Sequence, residues 1–573
     1  MLSNIKDRSN FTFLLAFSLL NIIGLMLFTA ALTFSVNRPI STLNFPVSIL
    51  FAFVINWLGC KYYFNNYKKA FLWLTLSSLA LFAIALLIAY YFYDISWDGQ
   101  QYHQEVLIQL KNGWNPFYRE LSDRVDYALW VNHYGKGAEI PEAVIYIFFN
   151  KIETGKATNI LLLLASFFLI VSLLLKLNIY KAHKIFLISS LLVFNPVFIT
   201  QILSYYVDQQ LGLLLLCLLV ICAHLFIDIN KYKLFLLAVI IQIALNIKFT
   251  AIPYVGVFII GFLFVLLCTK NLLTFKRVFI SSAFASVVAI VFVGFNPYMT
   301  NTIRNGNPFY PLAGKNTVDI FTTNSPYGFD KHNRFYNFFT SLFSESANII
   351  SADKTLSHLK FPFSVHISEI KALVAPDIRI GGFGFLFSGI FILSILLLYY
   401  VITTINKRER FLLLSILATI IISGFIIEYS WWARYVPQFW FLSIVILAFA
   451  EPLNSKRVKW LRTIIYTLII INITTIGALM LVRNFLVTQK IRYSLSELAE
   501  MKENVKYVDF TDFKSTRIKF AEENLHFAVR QVTNDEPVFN IKETHTRAAL
   551  KHRAPKHIEP FLIKLYYKIF PSR

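Results

Sequence analysis

Charge is scarce in this chain. Only 15% of its 573 residues are Asp, Glu, Lys or Arg, against 57% hydrophobic, and the mean hydropathy is +0.59. That balance excludes a soluble globular protein of this length. Cysteine is scarcer still. Cys60, Cys217, Cys222 and Cys268 all fall in or beside apolar runs, which excludes a disulfide framework and any cysteine spacing that holds a metal. No repeat of fixed period and no low-complexity linker interrupts the chain. The first apolar run lacks a small-residue cleavage site and is too long for the core of a signal peptide, so it reads as a retained helix.

What is abundant is apolar sequence in runs of about 20 residues, the length a helix needs to cross a hydrocarbon layer of about 30 Å. The 57 Phe and 29 Tyr suit lipid-facing surfaces with aromatic belts. The pattern predicts an all-α polytopic membrane protein of about thirteen spans, near 11–35, 43–60, 70–93, 158–175, 185–201, 210–228, 233–248, 251–268, 278–297, 383–404, 411–427, 436–450 and 461–483. Stretch 233–268 also allows one long helix, although Pro253 beside Lys248 favours a break. The formal charge of +22 does not point to nucleic acid, because the cations sit mostly in short connections between spans. Twenty of them fall on one side and three, Arg38, Lys248 and Arg434, on the other, which predicts a cytoplasmic N-terminus.

That orientation puts the long loops 94–157 and 298–382, and the tail 484–573, on the non-cytoplasmic face. In the first loop, residues 104–111 and 142–149 read as short amphipathic helices lying in the membrane interface. A turn is predicted at Trp114-Asn115-Pro116-Phe117. The polar tail reads as a small α+β appendage ending in an interfacial helix over 561–570. A composition rich in Lys, Asn and Ile is compatible with a bacterial inner membrane.

The most informative segment is Tyr93-Asp94-Ile95-Ser96-Trp97-Asp98-Gly99-Gln100-Gln101-Tyr102-His103. It places two carboxylates where a span emerges, and ionisable groups there are costly unless water, a partner or a substrate compensates. Carboxylates at that depth suit a base acting on a water-soluble acceptor beside a lipid-borne donor. Other polar groups expected at the same face are Asp208, Lys248, Arg304, Asp377, Arg379, Trp431, Trp432, Arg434 and Tyr435. Carboxylates and cations sharing one face suit a cavity that binds an anionic head group next to a base. Each has a plainer role: Asp98 as the N-cap of a helix beginning near Gln100, Asp94 as a solvated interfacial residue, His103 as a hydrogen-bond partner, Lys248 as the ion-pair partner of Asp208, Arg434 as a snorkelling charge, and Trp431 and Trp432 as belt aromatics. Asp94, Asp98 and His103 do not have a spacing that supports a divalent cation, and no other cofactor is expected.

With these residues in place, the chain resembles the polytopic GT-C glycosyltransferases, which take a sugar from a polyprenyl-phosphate donor on the non-cytoplasmic face. The likeness covers residues 1–483. It rests on the acidic first loop ending in Trp97-Asp98-Gly99-Gln100-Gln101-Tyr102-His103, on Gly306-Asn307-Pro308-Phe309-Tyr310-Pro311, and on Ala433-Arg434-Tyr435-Val436-Pro437. The family often carries two adjacent acids in this loop, whereas here they are spaced Asp-x-x-x-Asp, so the base is Asp98 or, second, Asp94. The resemblance implies a GT-C-like membrane domain and a polyprenyl-phosphate-sugar donor among membrane lipids. It implies a glycan, lipid or protein acceptor, and no nucleic-acid partner. Arg434 is the first candidate for the donor phosphate, because a guanidinium matches phosphate oxygens with paired donors. Lys248 and Arg304 come next, and Asp208, His103, Tyr102 and Trp431 complete the candidate substrate site. Two rival functions stand beside this one: an O-antigen-type polysaccharide polymerase or ligase, and a transporter or flippase. Transporters place ionisable groups near the bilayer midplane in broken helices, often with internal repeats, and here the acids cluster at one face.

Overall fold

The computed structural model describes residues 4–315, 317–533, 536–552 and 560–569. It is mostly helical. The helices run in chain order as α1 (Ile5–Ser35), α2 (Asn44–Tyr63), α3 (Tyr67–Tyr91), α4 (Gln104–Lys111), α5 (Ala128–His133), α6 (Glu139–Phe149) and α7 (Ala157–Leu177). They continue as α8 (Ala182–Val193), α9 (Pro196–Gln201), α10 (Asp208–Ile227), α11 (Lys231–Ile247), α12 (Ala251–Cys268), α13 (Leu272–Val287), α14 (Thr300–Asn305), α15 (Arg334–Leu342) and α16 (Ile367–Ala372). The last are α17 (Phe387–Thr404), α18 (Lys407–Phe425), α19 (Trp440–Ala450), α20 (Lys456–Glu500), α21 (Thr516–Glu522) and α22 (Phe561–Ile569).

Among the described residues, nine helices are long and apolar enough to cross a membrane. The expected thirteen include four further apolar segments that fall short of this standard: α8 with α9, α11, α18 and α19. The expected span 185–201 is broken. α8 stops at Val193 and α9 restarts at Pro196, because proline has no N–H to donate and disfavours helical backbone at the residue before it. Asn195 occupies that residue in extended geometry. Its side chain accepts from Val197 N at 3.0 Å and donates to Pro437 O at 2.9 Å. The stretch 233–268 is also interrupted: α11 ends at Ile247, Lys248 is extended, and α12 begins at Ala251.

Helix starts follow a common device. Asn4, Asn66, Asn230, Asn271 and Asn406 each accept a backbone N–H in the first turn of α1, α3, α11, α13 and α18. This satisfies donors that a helix N-terminus leaves open. α1 is the axis of the bundle, buried along most of its length against α2, α7 and α11. α2, α3 and α13 instead present apolar side chains outward, among them Leu50, Phe51, Leu72, Trp73, Leu87, Phe279 and Phe284. Exposed apolar surface of this extent suits lipid contact.

The first loop differs from expectation in one respect. Its helices form where the sequence places them, at Gln104–Lys111 and, starting three residues earlier than expected, at Glu139–Phe149. Yet α4 and α6 pack on one another, and α6 also packs on α1, so their faces are largely buried in protein rather than laid bare in the interface. The tail forms an α+β unit, though it begins later than residue 484, because α20 runs unbroken for 45 residues to Glu500. Strands β1 (Val505–Asp509), β2 (Val538–Ile541) and β3 (Thr546–Leu550) make an antiparallel sheet ordered β1-β3-β2. Three short strands bury little by themselves. Their core is completed by Ile491, Leu495 and Leu498 of α20 and by Tyr93 of the first loop. α22 packs back on α20, and Phe570, the final residue of the interfacial helix expected from sequence, lies outside the described residues.

Candidate active site

Residues 93–103 bend sharply as they leave α3. Asp94 Oδ1 accepts from Ser96 N at 2.9 Å and from Ser96 Oγ at 2.7 Å, and Oδ2 accepts from Gln104 Nε2 at 3.3 Å. This is an Asx turn closed by its own loop. Gly99 lies against it so closely that a Cβ there would stand 2.1 Å from Asp94 Oδ2 and 2.2 Å from Ser96 Oγ. Asp94 is fully buried and does not line the large cavity at this end of the bundle. Burial and the neighbouring Glu153 push its carboxyl above the usual aspartate range, against Lys156 and Lys519. It is neither solvated nor placed to act on a ligand, and its position assigns it to holding the turn.

The turn delivers Asp98 into a cavity of about 870 Å³, within the usual range for small-molecule sites of about 300–1,000 Å³. Asp98 has helical backbone angles and makes no capping hydrogen bond with its side chain. Its Oδ2 instead faces Arg434 NH1 at 3.2 Å. Arg434 continues toward Asp208, Nε to Oδ2 at 3.8 Å, and Asp208 Oδ1 accepts from Lys248 Nζ at 2.8 Å. Asp98, Arg434, Asp208 and Lys248 thus form an alternating row of charges. They come from the connection after α3, the connection between α18 and α19, the start of α10, and the break between α11 and α12.

Aromatic rings enclose the row. The Arg434 guanidinium lies 4.3 Å from the Trp432 ring centroid and 5.1 Å from that of Tyr206, and Lys248 Nζ lies 3.9 Å from that of Tyr435. These cation–π contacts hold the cations where water is sparse. Burial alone works against both charges, but the carboxylates outweigh it. Asp98 and Asp208 raise the Arg434 pKa well above its ordinary value, and Asp208 raises that of Lys248.

The cavity takes in two other candidates. Tyr102 lines it, its ring centroid 4.3 Å from that of His103, and His103 Nδ1 meets Glu139 Oε1 at 2.7 Å. Glu139 escaped the sequence reading. The only signal was a second carboxylate, three residues before Glu142, on an otherwise apolar helix. The two acids diverge: Glu139 faces His103 and the cavity, while Glu142 is buried against Gln210 and Thr158. Trp130 and Tyr134 also line the site without having been singled out, beside Gln101 of the first-loop motif. Arg379 also lines the cavity, bonded to Asn324 and Asn348 and 5.0 Å from the centroid of the Trp432 ring that Arg434 also contacts.

Besides Asp94, two expected members stand elsewhere. Arg304 is outside the cavity, bridging Glu120 Oε2 at 3.2 Å and Tyr118 O at 3.3 Å. Trp431 stacks parallel to Trp432 and packs edge-on against Phe329, so Trp432 alone of the pair faces the cavity. Both tryptophans are buried, which removes the belt reading. Arg434, 11% exposed and ion-paired, does not snorkel. Among the hydrogen-bonding atoms of the residues lining the cavity, Arg434 Nε and Glu139 Oε2 are buried with no hydrogen-bond partner among the described residues, Asp208 Oδ2 standing 3.8 Å from Arg434 Nε. One is a donor suited to an anionic oxygen and the other an acceptor suited to a hydroxyl. Among the described residues no three His, Cys, Asp or Glu side chains converge as a metal site. Asp94 and His103, turned to Ser96 and Glu139, do not meet at Asp98.

The helices define an integral membrane protein with a large cavity lined by charged and aromatic side chains. No family model, no curated protein and no solved structure matches the chain.

Proposed function

We propose that this protein is a GT-C-like membrane glycosyltransferase with thirteen spans, moving a sugar from a polyprenyl-phosphate donor to an acceptor on the non-cytoplasmic face of a bacterial inner membrane. The observation that carries this reading is the row Asp98–Arg434–Asp208–Lys248 inside an aromatic-walled cavity. It sets the Asp98 carboxylate directly against Arg434, with Lys248 two places further along the row.

In this reading the acceptor hydroxyl oxygen attacks the anomeric carbon, and Asp98 takes its proton. The bond from that carbon to the phosphate oxygen breaks, and the phosphate leaves with the electron pair. Arg434, with Lys248 behind it, stabilises the charge that builds on the leaving group. One displacement inverts the anomeric configuration. In the absence of ligand Asp98 and Arg434 neutralise one another. A donor phosphate that takes over the guanidinium releases Asp98 to act as base. A correctly placed base contributes about 10²–10⁴ in rate.

The test is transfer of labelled sugar from polyprenyl-phosphate donors in membranes, comparing wild type and Asp98→Asn at matched expression. Turnover falling by about 10²-fold or more with donor binding retained supports Asp98 as the base. Wild-type turnover by Asp98→Asn removes this carboxylate from the chemistry. Absence of transfer by wild type with every donor and cell-derived acceptor favours the polymerase or transporter readings.

A further inference from the structure

A second cavity, of about 390 Å³, opens between the first loop and the C-terminal appendage. It shares Trp97, Asn348 and Asp377 with the larger cavity, so the two meet at the residue preceding Asp98. We infer that this cleft binds the acceptor and that the acceptor is a saccharide. The inference rests on the transferase reading above and names the acceptor that the reading leaves open.

Three observations lead there. First, Trp97 is an exposed indole, 46% accessible, in a polar setting. It is held by Phe513 and His545 of the appendage, whose ring centroids lie 5.0 and 5.4 Å away at steep angles. A braced, accessible indole is a platform for the C–H face of a sugar ring. Second, the groups around it suit hydroxyls. Glu543 Oε1 holds Lys490 Nζ at 2.5 Å, while Oε2 is buried with no hydrogen-bond partner among the described residues, on a side chain only 9% exposed. An acceptor atom in that state matches a hydroxyl donor. Asn348 and Asp377, both engaged by Arg379, also line the cleft and keep it polar. A lipid chain would leave Glu543 Oε2 unpaired, at a cost. Third, the cleft exists only because the appendage is locked to the loop. Ser515 Oγ donates to Gln100 O at 2.6 Å, and Arg517 grips Glu105 with two bonds of 2.8 Å. A saccharide on Trp97 presents its next hydroxyl to Asp98, one residue along.

The test uses the full-length protein in detergent on a printed array of defined oligosaccharides, read beside the transfer assay. Array members are expected to bind, with affinity lowered about tenfold by Trp97→Ala and partly kept by Trp97→Phe, which retains a ring and controls for folding. Glu543→Gln, which keeps a hydrogen-bond acceptor for Lys490 but replaces the open carboxylate oxygen with an amide N–H, is expected to weaken binding, and Asp98→Asn to leave it intact. No bound array member, or binding indifferent to both Trp97→Ala and Glu543→Gln, overturns the subsite. The two readings fail separately. Sugar transfer whose acceptor KM is unchanged in Trp97→Ala sinks the subsite and leaves the transferase standing. Site-dependent saccharide binding with no transfer onto the bound glycan from any polyprenyl-phosphate donor supports the cleft as a saccharide site and sinks the transferase.

Discussion

Arg434 reaches back across 336 positions of sequence to meet Asp98 at 3.2 Å. The pair joins the first loop to the α18–α19 connection over a cavity, where neither partner has much water to replace the other. Arg434→Lys keeps a charge but loses the fork that engages Asp98 and Asp208 together. We expect kcat to fall at least tenfold, with a smaller change in donor affinity. Steady-state kinetics with varied donor check this, and a wild-type kcat in Arg434→Lys would show that bidentate geometry plays no part.

Gly99→Ala should cost more activity than its size suggests. The added methyl would lie 2.1 Å from Asp94 Oδ2, so the Asx turn must open and Asp98 must move. Misplacement of about 1 Å at a reacting group costs about 10² in rate. A Gly99→Ala protein with normal melting behaviour and normal turnover would mean that the turn does not position Asp98.

Lys136 gives a pH signature. It is fully buried beside the cavity, donating to Tyr134 O at 2.8 Å and Asn132 O at 3.2 Å and lying over the Trp114 ring. Burial pushes its pKa down to about 7, against the pull of Glu139. The unfolded chain holds this proton up to about pH 10.4, so between about pH 7 and that value the unfolded state binds more protons than the native one. Stability from this group therefore rises with pH across the window, and its penalty is fully present below pH 7. The melting temperature of Lys136→Met minus that of wild type should shrink as pH is raised from 7 to 10. A difference independent of pH would mean that Lys136 stays charged in the native protein.

The appendage should come loose when Arg517 is removed. Glu105 is 3% exposed and its two oxygens both accept from that guanidinium. Arg517→Ala leaves a buried carboxylate without its main partner, a loss of about 1–3 kcal/mol. Arg517 itself is 34% exposed, which favours the lower end. Limited proteolysis between α20 and β1 should accelerate, and Glu105→Gln combined with Arg517→Ala should recover part of the resistance. Equal cleavage rates for all three proteins would show that the contact does not hold the appendage.

Sequence gave the segments that depend on local chemistry. α4 spans the residues read as its helix, the break at Lys248 is present, and the tail folds as α+β. Hydropathy and prolines act within a few residues, so these are visible in one dimension. The direction of a side chain is not. Asp94 and Asp98 look alike in sequence, yet one bonds its own turn and the other crosses to the α18–α19 connection. Trp431 and Trp432 are neighbours, and only one meets the cavity. Arg304 is diverted by Glu120, 184 positions away. The same holds for the appendage, whose grip on the first loop depends on Ser515, Arg517 and Lys519 meeting residues roughly 400 positions earlier. Nothing near those residues announces their partners.

α20 has a mechanical consequence. At 1.5 Å per residue its 45 residues extend about 68 Å, more than twice the hydrocarbon thickness of about 30 Å. Its far end supplies part of the appendage core, so no hinge separates the two. A bilayer that thins or thickens changes the tilt of such a rod, and a tilt of a few degrees at one end is a displacement of several ångströms at the other. Because Ser515 and Arg517 also pin the appendage to the first loop, such a tilt would load those contacts.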